Sequence, residues 1–172
     1  MRGRPSTCCF TGHRPQKLPW GTNEQDARCL ALKEMLCSAV EAAINEGMTH
    51  FICGMAQGCD LYFCEIVQAL RTRYPHVTLE AALPCRTQTE RWPQAERTRY
   101  EALLRGCDFE TLVQESYTPW CMQRRNRYMV DHSAMLIAVH DGLPGGTRST
   151  IEYAMMRGLS VVDIPLADVQ TR

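Results

Sequence analysis

The run Asp141-Gly-Leu-Pro-Gly-Gly-Thr-Arg-Ser-Thr150 brings glycines, hydroxyls and one fixed positive charge together just before a segment of helical character. Gly145 and Gly146 let a ligand approach the main chain closely. The first N–H groups of the helix that follows have no acceptor within it, and such an end attracts anions, phosphate above all. Thr147, Ser149 and Thr150 add hydroxyl donors, Arg148 adds a counter-charge, and Asp141 opens the loop. The plain structural alternative is a tight strand-to-helix turn capped by Thr147.

Two other loops carry the same kind of chemistry. In Thr11-Gly-His-Arg-Pro15, Gly12 permits close approach, and His13 and Arg14 can meet a phosphate or carboxylate. Alternatively, His13 caps the loop and Arg14 is a surface charge. In Gly54-Met-Ala-Gln-Gly-Cys-Asp60, Gly54 and Gly58 leave room for a ligand. Asp60 can cap the next helix, hold a sugar hydroxyl, or do both. A fourth segment, Gln123 to His132, is basic and helical. Arg124 and Arg127 share one face and Arg125 and Met129 another, so one arginine should turn inward unless the whole basic face is solvated.

The elements that must hold these loops alternate. Strands are expected at Thr7–Thr11, Thr49–Cys53, Val77–Leu83, Phe109–Val113, Ala134–Val139 and Ser160–Ile164. Helices are expected at Asp26–Glu46, Leu61–Tyr74, the C-terminal half of Thr87–Arg105, Pro119–Asp131 and Thr147–Arg157. In the first helix Leu32, Leu36, Ala39, Val40 and Ala43 form one apolar stripe, and Gly47 supplies its stop. Strict alternation predicts an α/β, three-layer Rossmann-like fold: about six mostly parallel strands in the order 3-2-1-4-5-6, with helices on both faces. Right-handed crossovers then bring the three glycine loops to one edge of the sheet. The whole chain, 1–172, reads as one such domain, with a polar, frayed tail from Ala167.

Formal net charge is zero over 172 residues, which argues against a uniformly basic nucleic-acid binder. No run is long and apolar enough for a membrane span, and the start lacks the apolar segment of a signal peptide, so a cytoplasmic protein is expected. Ten cysteines occur, none in a Cys-x-x-Cys pair. They read as small buried hydrophobes in a reducing compartment, with neighbouring Cys8 and Cys9 on opposite sheet faces. Neither a metal site nor a cofactor is expected, and Cys59, at a helix start, is the best candidate for a reactive thiol.

Gly54-x-Ala-x-Gly-x-Asp60, with Pro144-Gly-Gly146 and Glu152, resembles the SLOG superfamily, to which the LOG phosphoribohydrolases and the DprA proteins belong. Cys9-Phe-Thr-Gly-His-Arg-Pro15 and Asp141-Gly-x-x-Gly-Gly-Thr147 look most like its YpsA branch, and the match spans Cys9 to Pro165. The resemblance implies a nucleotide or an ADP-ribose-like derivative as ligand. Its phosphates would lie on Gly145, Gly146 and Thr147, countered by Arg14 and Arg148, with base or ribose over Gly54 to Asp60. It also implies a sensor or regulator in bacterial stress or cell division, with a protein partner, and a homodimer is a reasonable expectation. Glu152 falls on the glutamate of the LOG pattern Pro-Gly-Gly-x-Gly-Thr-x-x-Glu, and Arg125, four residues before Met129, on the arginine that these enzymes also carry, so the resemblance places both on that family's catalytic pair. An N-glycosidase acting on nucleoside monophosphates is therefore the alternative. Against hydrolysis, Arg148 stands where that pattern has glycine, and Ser149 where it has threonine. Arg124-Arg-Asn-Arg127 also resembles a run in DprA, but single-stranded nucleic acid, with Trp92 and Trp120 as stacking platforms, ranks last. Both tryptophans read better as core or interface anchors.

Overall fold

The computed structural model describes residues 5–170. Six strands form one all-parallel sheet: β1 (Thr7–Thr11), β2 (His50–Cys53), β3 (Thr78–Leu83), β4 (Phe109–Leu112), β5 (Met135–His140) and β6 (Ser160–Pro165). The helices are α1 (Ala27–Asn45), α2 (Cys59–Leu70), α3 (Gln94–Arg105), α4 (Cys121–Asp131), α5 (Gly146–Met156) and a final turn, α6 (Ala167–Gln170). This is the expected three-layer α/β architecture.

The strand order is β4-β3-β2-β1-β5-β6. The fourth strand thus lies outside the third, not beside the first as the sequence reading placed it. Helix packing gives the reason. Three right-handed crossovers in the same direction put α1, α2 and α3 side by side on one face, and each carries the chain one strand outward. α4 then returns across the other face, and α5 packs beside it.

Two apolar clusters sandwich the sheet. One holds Phe10, Leu36, Phe51, Phe63 and Ile137 beneath α1, α2 and α3, and the other holds Ile52, Met129, Leu136 and Ala154 beneath α4 and α5. Cys8 belongs to the first and Cys9 to the second, as strand alternation requires. The stripe on α1 is buried through Leu32, Leu36, Val40 and Ala43, and Asp26 caps the helix by accepting the Arg28 N–H at 2.9 Å. Ala167–Gln170 is not frayed but forms α6, which packs on α1 with Val169 fully buried, and the expected frayed end at 171–172 lies outside the described residues. Trp92 is partly buried against the first cluster, whereas Trp120 is 61% exposed and anchors no core. All ten cysteines are free, and among the described residues no helix is long and apolar enough to cross a membrane.

Candidate functional site

β1 has β2 on one side and β5 on the other, so the strand order reverses there and the loops beyond its end must part. They part around a cleft of about 310 Å³, walled by the loops after β1 and β2, one face of α4 and the first residues of α5.

His13 holds the loops together. Its side chain is buried; Nδ1 lies 3.4 Å from the Thr147 hydroxyl, and Nε2 accepts the Asp141 N–H at 3.2 Å. Its carbonyl accepts the N–H of Cys59, the first residue of α2, at 3.2 Å. Burial pushes the imidazole below its ordinary 6.5, against the opposing pull of Asp141. The Asp141 carboxylate also lies 3.2 Å from Nε2. Burial raises that carboxyl, but the Leu143 N–H and His13 outweigh it and hold it below the usual range.

The loop after β2 is set from beneath. Gly58 has φ +85°, and a Cβ there would stand 2.7 Å from the His13 carbonyl oxygen. Gly58 is also the residue that caps α2; Asp60 is not the cap but lies in the first turn, where its carboxylate accepts the Ala56 N–H at 3.1 Å. Arg125 reaches in from α4 with 4% of its surface exposed, donating to the Gly54 carbonyl and, through Nε, to Asn126 at 2.9 Å. Burial pushes the Asp60 carboxyl up and the Arg125 guanidinium down, and the attraction between the two opposes both shifts.

Like α2, α5 has no side-chain cap. Its cap residue, Gly145, has φ 154° and ψ −173°, a backbone region essentially restricted to glycine. A Cβ on Gly145 would come within 2.5 Å of Lys17 Nζ, so that ammonium rests against the main chain where the helix starts. The first amide of α2 is taken by His13, whereas the start of α5 faces the cleft through Gly146 and Thr147 with a cation beside it. That arrangement favours an anion.

Of the residues singled out from the sequence, Gly12, His13, Arg14, Asp60, Arg125, Gly146 and Thr147 line the cleft. Gly54, Gly58, Asp141 and Gly145 support it from behind through the contacts above. Thr150 turns back to bond the Gly146 carbonyl at 2.8 Å. Arg148 and Glu152 are not brought in: both are exposed and pair with each other at 3.1 Å, one helical turn apart on the outer side of α5. The cleft therefore contains one half of the catalytic pair that the LOG pattern suggests. Cys59 is fully buried, and burial pushes its thiol far up, so it is not a reactive thiol. Lys17 and Met122 line the cleft unannounced by any motif, and Asn126 lines it from within the arginine run, where it was not singled out. A basic residue in a proline-bounded loop was the one available signal for Lys17.

The YpsA family model, described as the YspA SLOG family, matches residues 8–161. The uncharacterized SPbeta prophage-derived protein YoqJ of Bacillus subtilis (strain 168) is 33% identical over 138 residues, covering 73% of this chain and 81% of that protein. A UPF0398 protein of Bacillus pumilus (strain SAFR-032) is 29% identical over 163 residues, covering 91% and 83% of the two chains. Among solved structures, DNA processing protein A (DprA) from Streptococcus pneumoniae superposes with a TM-score of 0.61 at 17% identity, covering 94% of this chain. This chain spans half of DprA's length, and the likeness is one of fold. With a match running from β1 into β6, the chain belongs to the YspA SLOG family.

Proposed function

We propose that the cleft binds a nucleotide or nucleotide derivative of the ADP-ribose kind by its phosphates, and that the protein serves as a sensor or regulator. The observation that carries this reading is the start of α5. It is uncapped, opens into the cleft, has the Lys17 ammonium against Gly145, and is held in place by buried His13. Phosphate oxygens would take the amides of Gly146 and Thr147, with Lys17 and Arg14 as counter-charges. Lys17 replaces Arg148 in that role, because Arg148 is engaged with Glu152. A ribose would lie over Ala56 and Asp60. Membership of the SLOG family supports a nucleotide-related ligand. A regulatory role through a protein partner is part of the same proposal.

Binding is preferred over base release. A hydrolase would need Glu152 beside Arg125, but Glu152 is exposed and tied to Arg148 while Arg125 is buried against Gly54. The test is a thermal melt with ADP-ribose. A ligand selective for the folded state at 100 times its dissociation constant adds about 2.7 kcal/mol, and Lys17→Ala should need a higher concentration for the same gain. No shift with ADP-ribose or with any of a panel of mono- and dinucleotides overturns the proposal.

A further inference from the structure

The cleft does not end at Asp60. Past Arg14, Ala56 and Met122 it narrows to a neck of about 50 Å³. The neck opens into a second chamber of about 330 Å³ whose walls include Cys85, Gln88, Trp92, Tyr117 and again Met122. Gln88 and Trp92 line both neck and chamber, so the three spaces adjoin in a row along the strand ends. The cleft lies at the β1–β5 junction, the neck over the loop after β2, and the chamber over the loops after β3 and β4.

The chamber is held in shape. Trp92 is fixed from behind by Tyr100, edge to face at 5.4 Å between centroids. The two loops that form its rim are pinned together: the Arg86 N–H donates to the Glu115 carbonyl at 3.2 Å, and the two side chains pair at 2.5 Å. Behind the walls, the Gln88 carboxamide is buried beside the Tyr100 hydroxyl. An indole and a phenol ring lining one chamber suit a planar aromatic ring.

We infer that the second chamber seats the base of a nucleoside diphosphate unit whose terminal phosphate lies at the start of α5. This rests on the phosphate seat proposed above and adds to it what the ligand must be. From the β1–β5 junction to the β3–β4 junction is about three strand spacings, or ~14 Å. In a nucleoside monophosphate a single sugar separates phosphate from base, too little for that span. A second phosphate at the neck, against Arg14, makes up the length. Trp92 and Tyr117 then stack on the base.

The experiment is calorimetric titration with three probes: ADP, AMP and inorganic pyrophosphate. The wild-type protein should bind ADP at least roughly tenfold more tightly than AMP. Trp92→Ala should weaken ADP by roughly tenfold, the scale of one lost base–aromatic stack, and leave pyrophosphate unchanged. Tyr117 is 65% exposed, so Tyr117→Ala tests the same wall without touching the core, and it should act in the same direction. ADP affinity that is unchanged in both variants overturns the inference while the phosphate seat stands. So does AMP binding as tightly as ADP. Loss of pyrophosphate binding along with ADP in both correctly folded variants also overturns it. If neither ADP nor pyrophosphate binds the wild-type protein, the phosphate seat itself has failed and the inference falls with it.

Discussion

His13 joins the loops after β1 and β5, and Arg125 joins α4 to the loop after β2. Because His13 titrates below its ordinary 6.5, its stabilising contribution is complete above about pH 6.5 and is lost as pH falls through the lower folded-state value. The melting temperature should therefore drop between pH 7 and pH 5 more steeply in the wild-type protein than in His13→Gln; parallel profiles would show that His13 does not carry this term. Arg125 is buried with its hydrogen bonds made at Gly54 and Asn126 and its charge opposed by Asp60. Arg125→Met leaves the Gly54 carbonyl unpaired and Asp60 uncompensated, a loss of about 3 kcal/mol in urea unfolding. Adding Asp60→Asn should return part of that loss, since the pair is coupled. These two residues were visible in the sequence as types, but their partners were not. His13 meets Thr147, and Arg125 meets Gly54, only because the sheet brings distant loops together. Glu152 shows the converse: it sits at the spacing of a known pattern, yet Arg148 lies on the same helix face four residues earlier and draws it outward.

Among the elements, the starts of α2 and α5 differ in what a side chain would meet there. At Gly58 the left-handed backbone and the 2.7 Å approach to the His13 carbonyl leave no space, so Gly58→Ala should cost more than about 1 kcal/mol. At Gly146 a Cβ meets nothing within 4 Å. Gly146→Val should therefore melt close to the wild-type temperature and yet lose ADP-ribose binding, because the branched side chain stands where phosphate would approach. A variant that binds as tightly as the wild type moves the phosphate elsewhere, and one that unfolds makes the turn purely structural. Helix and strand identities were readable from periodicity to within a few residues, and Gly47 and Pro93 marked ends where expected. The position of the fourth strand was not readable. Whether a crossover steps outward or returns depends on which helix it packs beside, and α3 packs beside α2.

On the scale of the whole molecule, the outer layer is tied by charge as well as by apolar contact. Arg99 on α3 pairs at 2.6 Å with Glu24 ahead of α1 and with Glu65 on α2, and Lys33 pairs with the same Glu24 at 2.8 Å. Burial raises Glu24, but its bonds to Arg99 and Lys33 outweigh that and hold its carboxyl below 4.5. Its contribution is thus present above that pH and is lost as acid takes it through the lower folded-state value. Arg99→Met should destabilise by about 1–3 kcal/mol in urea unfolding, and the difference from wild type should shrink in acid. Net neutrality was legible in the composition, but which charges form a network across three helices was not. The cysteines give the molecule a further property. Eight are buried, and only Cys37 and Cys107 are half-buried. An alkylating reagent should mark those two first and reach the rest only as fast as the protein opens. The thiols are thus a built-in clock for transient unfolding, spread over both faces of the sheet. Any molecule that settles into the cleft should slow the clock, at Cys59 beneath its floor as well as at the far side of the core.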